Sequence, residues 1–187
     1  MLSLAADHDV VVLGPGLGDA SETLTAVSDF LTEFEGRGVV DADALQIVPD
    51  VDTEADLVCT PHQGELRKMG GETADDWRER MTLVADFAAE LDQTLLVKGA
   101  YDIVSDGETT RVGRTGNPGM TVGGTGDVLA GATGALASTQ SAVDAAAIGA
   151  YANGRAGDIV VDRQGYGLVA TDLVDELPRA LWGDDDE

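Results

Sequence analysis

The sequence predicts an α/β fold whose mainly parallel central sheet carries helices on both faces. Three observations support this class. Short apolar runs alternate with longer amphipathic stretches, as strands alternate with crossover helices in parallel sheets. The chain has 187 residues, 43% of them hydrophobic, which suits one domain with a buried core. Glycines and polar residues follow directly after the apolar runs, where such sheets bind their ligands.

The first half of the chain alternates strands and helices. We predict a strand at 10–13, a helix at 20–34, and strands at 38–40 and 57–59. The last of these strands runs into a predicted helix start. Thr60 is the expected N-cap, Pro61 suits the first helical position, and Gln63 stands where a capping box requires Glu or Gln.

The second half begins with a long helix and ends with helices of small residues. We predict a helix at 74–91, a strand at 94–98, a hairpin of 101–105 and 109–112, and helices at 127–137, 142–157 and 171–181. The hairpin is expected to turn at Asp106-Gly107. We therefore expect a single domain over residues 1–182, followed by an acidic tail at 183–187.

The charge is strongly acidic, with 35 Asp and Glu against 11 Lys and Arg and a net charge of −24. A phosphate backbone must be met by clustered cations, so the composition argues against a nucleic-acid binder and disfavours an anionic membrane surface. Only Lys68 and Lys98 are lysines. An acidic surface almost without lysine indicates a halophilic protein of a salt-rich cytoplasm, where salt screens self-repulsion.

One cysteine and two histidines limit the chemistry further. Cys59 has no partner for an internal disulfide, and these residues cannot form a Cys/His metal cluster. Residues 1–9 lack the charged start and long apolar core of a signal peptide, and no apolar run reaches the length of a membrane span. We therefore expect a cytoplasmic protein without a membrane segment.

A glycine-rich turn, Gly14-Pro15-Gly16-Leu17-Gly18, follows the first strand. A dinucleotide-binding turn is one interpretation, with Asp41 downstream as the ribose acid. The detail does not fit, because Asp19 stands where the third glycine is needed and Pro15 removes a backbone amide. A tight structural turn remains the alternative.

A more specific motif spans residues 117–127, Asn-Pro-Gly-Met-Thr-Val-Gly-Gly-Thr-Gly-Asp. Its glycines precede a helix of small residues, so free backbone amides and the helix dipole would attract anionic oxygens. No Walker lysine follows the glycines. We predict a phosphate site in which Asp127 accepts a proton from a substrate hydroxyl, worth roughly 10²–10⁴ in rate. The alternative is that Asp127 only caps the helix.

Four further polar residues follow strands. Lys98, before Gly99, would neutralise phosphate or lie solvated at the surface. His62 would hydrogen-bond a polar ligand or play no part. Asp41 and Asp43 would hold Mg²⁺ through water or, as the composition favours, be ordinary acids of an acid-rich chain.

Together these motifs resemble the ADP-dependent NAD(P)H-hydrate dehydratases, the carbohydrate-kinase-like domain of the bifunctional hydrate-repair proteins in the ribokinase-like superfamily. The matching stretches are 14–18, 41–45, 60–65, 97–99, 116–131 and 156–158. They run in family order and spread over most of the chain. The resemblance implies a three-layer ribokinase-like fold and the dehydration of the S epimer of hydrated NADH or NADPH, with ADP giving AMP and phosphate.

The resemblance also implies roles for individual residues. Gly16 or Gly18, His62 and Asp127 would contact the hydrated dinucleotide, with Asp127 as the catalytic base. The residues implied to hold the adenine nucleotide are Lys98, Gly99, Ala100, Tyr101, Asp102, Gly123, Gly124, Thr125 and Gly126. Mg²⁺ would bridge the phosphates without a direct protein ligand.

The sequence departs from the family pattern at Gln63 in place of Pro, Asp102 in place of Thr and Asn153 in place of His. Family members carry further strands and helices before the first glycine turn. We therefore expect this chain, from a haloarchaeal source, to be the carboxyl-terminal portion of a longer homo-oligomeric protein with an epimerase domain. The alternatives are a ribokinase-like kinase of a vitamin precursor or sugar, and a nucleotide-binding fragment without activity.

Overall fold

The computed structural model describes residues 1–183 and contains one six-stranded sheet. Its strands are β1 (Val10–Leu13), β2 (Arg37–Val40), β3 (Asp56–Cys59), β4 (Thr94–Val97), β5 (Asp102–Ser105) and β6 (Thr110–Gly113). They lie in sequence order, with β1 to β4 parallel and β4, β5 and β6 antiparallel. The predicted mainly parallel sheet and its hairpin are confirmed. Residues 184–187 of the predicted acidic tail lie outside the described residues.

The helices are α1 (Leu2–Ala5), α2 (Ser21–Glu33), α3 (Gln63–Lys68), α4 (Trp77–Leu91), α5 (Thr125–Ala137), α6 (Ala142–Gln164) and α7 (Ala170–Trp182). Two 3₁₀ helices, at Ala42–Asp50 and Pro118–Met120, and the short α1 are not predicted by the sequence patterns. The longer predicted helices are all present. Within residues 1–183, no helix combines the length and the apolar character needed to cross a bilayer.

Apolar residues on the two faces of the sheet pack into two separate cores. Successive strand residues point to opposite faces, so Leu57 and Cys59 join one core while Val58 joins the other. Val84 of α4 packs in the first core and Leu129 of α5 in the second. The molecule thus has the three expected layers, with helices covering both faces of the sheet.

The alignment of the parallel strands brings their carboxyl ends to one edge of the sheet. Leu13 pairs with Val40, and backbone hydrogen bonds continue the alignment beyond the strands. The Asp41 amide donates to the Leu13 carbonyl at 3.0 Å, and the Lys98 amide donates to the Pro61 carbonyl at 2.8 Å. The residues that follow these strands therefore lie side by side, where ligands of open α/β sheets bind.

The predicted start of α3 is wrong, because the N-cap is His62 and not Thr60. The Pro61 carbonyl accepts a hydrogen bond from the Lys98 amide, so the chain stays extended through Pro61 instead of beginning the helix there. Gln63 becomes the first helical residue and takes no part in the capping box. Thr60 is left free to serve the strand-end site.

The second half of α6 is longer than predicted, because Gly157 serves close packing and not helix termination. A methyl group on Gly154 would lie 2.4 Å from Thr115 Oγ1, and one on Gly157 would lie 2.4 Å from Met120 Sδ. These glycines let the segment before the glycine-rich loop lie directly on α6. The helix ends instead before Gly165, whose φ of +77° favours glycine.

Candidate active site at the carboxyl ends of the strands

Lys98, directly after β4, is the fixed cation of this edge. Its Nζ lies 2.8 Å from Asp41 Oδ1, and the Thr60 hydroxyl donates to the same oxygen at 2.8 Å. Asp41 is 3% exposed, and Oε2 of Glu65 lies 3.8 Å from the ammonium. Because its anionic partner is buried, the ammonium is held in one place. The expectation that Asp41 is an ordinary acid is therefore wrong: it is the buried partner of Lys98.

The start of α5 faces this cation. A methyl group on Gly126 would lie 3.6 Å from Lys98 Nζ and 3.8 Å from Asp41 Oδ2. The N-cap residue is Gly124, with φ of +91° and no side chain to satisfy the amides of the first helical turn. Amides at a helix N-terminus attract anions, and the ammonium adds a full positive charge at the same place. The geometry therefore suits the oxygens of a phosphate.

Asp127 lies at the third helical position of α5 and is exposed to solvent. It directly follows Gly126, which faces Lys98. Gly124 occupies the N-cap position and no side chain caps this helix start, so Asp127 does not serve as the N-cap. The exposed carboxylate beside the anion site is therefore free to accept a proton from a ligand.

Hydrogen bonds from α6 and within the loop hold the glycine-rich loop before α5 in place. Asp158 accepts hydrogen bonds from the Gly116 amide and the Asn117 side chain, both at 3.0 Å. The Thr125 hydroxyl donates to the Met120 carbonyl at 2.8 Å. The side chain of Thr125 thus holds the loop itself.

The first glycine turn packs against the same edge. Gly14 has φ of +126°, and a methyl group there would lie 1.8 Å from the Asp41 carbonyl oxygen. Only glycine fits this position. Gly16 and Gly18 also have positive φ, yet both border open space. The turn therefore has one packing glycine and two glycines with room for a ligand.

His62 reaches the edge from the start of α3. It pairs with Lys98 in an isolated parallel bridge, and its exposed ring caps the helix. Nδ1 accepts hydrogen bonds from the Gly64 amide at 2.9 Å and the Glu65 amide at 3.1 Å. A nitrogen that accepts cannot carry a proton, so the neutral ring is protonated on Nε2. That nitrogen lies 3.5 Å from a carboxylate oxygen of Glu65.

The segment 98–102 forms a tight loop between β4 and β5. Asp102 Oδ1 accepts a hydrogen bond from the Gly99 amide at 2.9 Å, so its side chain faces the loop backbone. Burial raises the pKa of Asp102 to about 6, against the opposing effects of the Gly99 amide and the Lys98 charge. The carboxylate thus closes the loop on which the predicted nucleotide-binding residues lie.

The described residues offer neither a metal centre built from protein side chains nor a reactive cysteine. Within residues 1–183, no three His, Cys, Asp or Glu side chains are grouped to hold a metal ion. The carbonyl of Asp43 accepts a hydrogen bond from Gln46, and no role in the site follows. Burial raises the pKa of the Cys59 thiol to about 12, which excludes a reactive thiolate.

The residues that depart from the family pattern have local roles where the structure shows one. Gln63 accepts a hydrogen bond from the Thr73 hydroxyl at 2.9 Å, and Asp102 closes its loop. Asn153 is buried on α6, and its Oδ1 accepts no hydrogen bond from the residues described. The structure offers no explanation for that unsatisfied oxygen.

Sequence reasoning missed three tertiary contacts at or near the candidate site. The buried pairing of Asp41 with Lys98 and Thr60 joins residues far apart in the chain, and only the strand alignment brings them together. Asp158 belongs to one of the matching stretches, yet its support of the glycine-rich loop, from 42 residues beyond Gly116, is not visible in the sequence. Trp77, which opens α4, stacks on Tyr101 and escapes notice because no nearby motif marks it.

The fold is ribokinase-like. The ribokinase of Thermotoga maritima shares it with a TM-score of 0.55 over 94% of this chain and 59% of that protein, at 14% identity, which shows the fold alone. A nearer structure is the ADP/ATP-dependent NAD(P)H-hydrate dehydratase of Bacillus subtilis, co-crystallised with ATP and Mg²⁺ and soaked with CoA. It gives a TM-score of 0.79 at 27% identity, over 92% of this chain and 65% of that one.

The sequence model of the NAD(P)H-hydrate dehydratase family matches residues 1–179. The bifunctional NAD(P)H-hydrate repair enzyme Nnr of Pyrobaculum aerophilum is 42% identical over 185 residues, which are 97% of this chain and 37% of that protein. The chain therefore belongs to the NAD(P)H-hydrate dehydratase family, as its motifs indicate. It spans little more than a third of the length of this curated relative.

Proposed function

We propose that this chain carries the site that dehydrates the S epimer of hydrated NADH or NADPH at the expense of ADP, giving NAD(P)H, AMP and phosphate. One observation carries the proposal. In a chain of this family, Lys98 faces Gly126 at the uncapped start of α5, and the exposed Asp127 follows directly. An anion site beside a free carboxylate is what phosphoryl transfer to a hydroxyl requires.

The first step would transfer a phosphoryl group to the ring hydroxyl of the hydrate. Asp127 accepts the hydroxyl proton while the oxygen bonds to the terminal phosphorus of ADP. The bond between that phosphorus and the bridging oxygen breaks, and AMP leaves. Lys98 and the amides of the first turn of α5 stabilise the negative charge that develops on the phosphoryl oxygens.

The second step would eliminate phosphate from the ring. Hydroxide is a poor leaving group, whereas phosphate leaves readily when the lone pair of the adjacent ring nitrogen forms a double bond to the ring carbon. Loss of a proton from the neighbouring carbon then restores the dihydronicotinamide. The two steps together convert hydrate and ADP into NAD(P)H, AMP and phosphate.

Mg²⁺ would neutralise and orient the phosphates. The described residues group no three metal-ligating side chains, so this chain fits an ion that is carried by the nucleotide. The name of the Bacillus subtilis relative gives ADP and ATP as alternatives, and that enzyme was co-crystallised with ATP and Mg²⁺. We keep ADP as the proposed donor for this chain.

The hydrated dinucleotide would lie on the side of the site that faces away from the loop 98–102. Gly16 and Gly18 border open space in the turn that packs on Asp41 through Gly14, and His62 would donate a hydrogen bond from Nε2. These groups would contact the dinucleotide, whose ring hydroxyl must reach Asp127. The adenine nucleotide would occupy the side formed by the loop 98–102 and by residues 123–126.

The domain organisation, the oligomeric state and the cellular location of the full-length protein are also proposals. The curated relative is named a bifunctional repair enzyme, and an epimerase domain in the full-length protein would supply the S epimer. We propose a homo-oligomer that acts in the cytoplasm of a halophile. The acid-rich composition supports the habitat.

The test is recovery of reduced nicotinamide absorbance after mixing the protein with hydrated NADPH, ADP and Mg²⁺. Asp127→Asn should lower the rate by about 10²-fold or more, because the proton acceptor is lost. Asp144→Asn is a matched control, since Asp144 holds the same third helical position in α6. A phosphorylated small alcohol without dehydration would instead indicate a kinase, and ADP binding without turnover would indicate a nucleotide-binding fragment.

A further inference from the structure

Asp158 of α6 holds the glycine-rich loop through two separate donors. Its Oδ2 accepts a hydrogen bond from the Gly116 amide, and its Oδ1 accepts one from the side-chain amide of Asn117, both at 3.0 Å. Asn117 Oδ1 in turn accepts a bond from the Gly119 amide at 3.0 Å, and this bond caps the 3₁₀ helix Pro118–Met120. The carboxylate and the carboxamide therefore form one bonded pair, in which each side chain also binds the backbone of the loop.

Hydrogen bonds connect this pair to the start of α5. The Met120 amide donates to the Asn117 carbonyl at 3.1 Å, and the Met120 carbonyl accepts from the Thr125 hydroxyl at 2.8 Å. Thr125 is the first residue of α5, and Asp127 is the third. A series of hydrogen bonds thus leads from Asp158 on α6 to the helical turn that carries the proposed proton acceptor.

The loop needs such an anchor because it is rich in glycine. Five of the residues at 116–126 are glycine, and Gly116 and Gly124 have φ of +103° and +91°. Glycine loses more conformational freedom on folding than any other residue. Amides and carboxylates that act on a transition state must already be fixed in place before the reaction. The position of the anion site therefore depends on contacts from outside the loop.

We propose that the Asp158–Asn117 pair positions Asp127 for the proposed reaction and so controls the rate of phosphoryl transfer. The inference rests on the proposed function. Lys98 is held separately, by the buried Asp41, so loss of the pair should leave most of the affinity for ADP in place. The chemical step is more sensitive, because a displacement of about 1 Å can cost about 10² in rate.

The pair can be broken in two ways and then rebuilt. Asp158→Asn keeps an oxygen for the Gly116 amide, but its new NH₂ group faces the NH₂ group of Asn117, so two donors meet. Asn117→Asp keeps the bond from the Gly119 amide but sets two carboxylates against each other. The double variant Asp158→Asn/Asn117→Asp exchanges donor and acceptor, so all three hydrogen bonds can form again.

Each single variant should lower kcat about tenfold or more, measured well below its melting temperature. The dissociation constant for ADP, from calorimetry, should stay within about threefold of the parent value. The double variant should recover kcat to within about threefold of the parent. Asp162→Asn is the matched control: it removes the same charge one turn further along α6, from an exposed residue, and should leave kcat within about twofold.

The variants are made in the full-length protein, and recovery of NADPH from its hydrate is followed with ADP and Mg²⁺. Hydrogen exchange of the amides at 116–126 gives a second measurement that does not depend on activity. Exchange should be faster in each single variant and return to the parent rate in the double variant. If the single variants do not fold, the double variant decides: parent-like kcat supports the pairing, and a folded but slow double variant overturns it.

Two further results would overturn the inference while the proposed function stands. One is an unchanged kcat in both single variants. The other is a loss of ADP affinity as large as the loss of kcat, which would mean that the pair only keeps the nucleotide site intact. If the full-length parent recovers no NADPH, the proposed function fails and this inference fails with it; faster exchange in the single variants would then show only that the pair holds the loop.

Discussion

At the scale of single residues, the candidate site depends on the pairing of Asp41 with Lys98. The carboxylate is buried, accepts from Thr60 as well, and fixes the ammonium beside Gly126. Asp41→Asn keeps an acceptor oxygen but removes the charge that balances the ammonium. We expect it to lower the free energy of unfolding by about 2–3 kcal/mol, measured by urea denaturation.

Asp43→Asn is the control for that substitution. Asp43 lies two residues further on, and the bond that the structure records for it uses its backbone carbonyl. Its free energy of unfolding should stay within about 0.5 kcal/mol of the parent value. Equal effects of the two substitutions would show that the buried pair does not hold Lys98.

Because the pKa of Asp102 is raised, we expect the free energy of unfolding to depend on pH in a specific way. Burial raises its pKa from 3.8 to about 6, so the folded protein binds this proton more tightly than the unfolded chain. Its contribution to stability is therefore highest at low pH and falls as the pH rises from about 4 to about 6. Above that range the ionised carboxylate costs up to about 3 kcal/mol.

Asp102→Asn removes this cost while keeping an oxygen for the Gly99 amide. At pH of about 7.5 the variant should melt at a higher temperature than the parent. Below pH of about 4 the difference should disappear, because Asp102 is then protonated in both states. Calorimetric melting temperatures across this range test the sign, and a stabilisation that grows as the pH falls would contradict it.

At the scale of the elements, the sequence patterns predict the sheet well. Strands β2 to β5 each contain short apolar runs that are buried on both faces, which makes them recognisable in the sequence. The motifs at the strand ends also predict that Asp41, His62 and Lys98 lie at one edge of the sheet, since parallel strands share their carboxyl edge. Local pattern and strand order are enough for these features.

Other features depend on contacts that no local pattern contains. Proline is common at the first position of a helix. The Pro61 carbonyl, however, accepts a hydrogen bond from the Lys98 amide, and α3 starts at Gln63. Glycine is common where helices end, yet Gly157 lies inside α6, where its missing side chain makes room for Met120. In both cases a tertiary contact overrides a local preference.

The glycines of α6 should resist substitution. A methyl group on Gly154 would lie 2.4 Å from the Thr115 hydroxyl oxygen and 2.7 Å from its backbone carbonyl, which cannot move aside cheaply. We expect Gly154→Ala to lower the free energy of unfolding by about 1–3 kcal/mol and to loosen the loop before α5. Thermal denaturation and proteolysis of that loop would measure the two effects.

Gly131→Ala is the matched control within α5. Gly131 borders open space, so the methyl group meets no neighbour and only the helix preference changes. This substitution should raise the free energy of unfolding by up to about 1 kcal/mol. If both glycine substitutions were stabilising, the close packing of Thr115 on α6 would not be essential.

At the scale of the whole molecule, the negative charge of the protein opposes the negative charge of its proposed ligands. The net charge of −24 opposes such ligands at long range, whereas Lys98 and the amides of α5 attract them locally. Salt shortens the range of the opposing field: the Debye length falls from about 10 Å at 0.1 M to about 3 Å at 1 M. The local site, being partly buried, is screened less.

Stability should therefore increase with salt. Raising KCl from about 0.1 M to about 1 M should raise the melting temperature at neutral pH, because repulsion among the acidic side chains is screened. Near pH of about 4, where many carboxylates are protonated, the same change should have a much smaller effect. A salt effect of equal size at both pH values would indicate a cause other than charge repulsion.

The central claim is that this fold couples phosphoryl transfer to dehydration. The chain covers 65% of the Bacillus subtilis dehydratase and 37% of the curated relative, so the measurement belongs on the full-length protein as well as on this chain. The most direct measurement is the stoichiometry of products from hydrated NADPH and ADP. We expect one AMP and one phosphate for each NADPH recovered, and loss of all three in Asp127→Asn. Full-length protein that binds ADP yet recovers no NADPH, or that recovers NADPH without forming AMP, would contradict it.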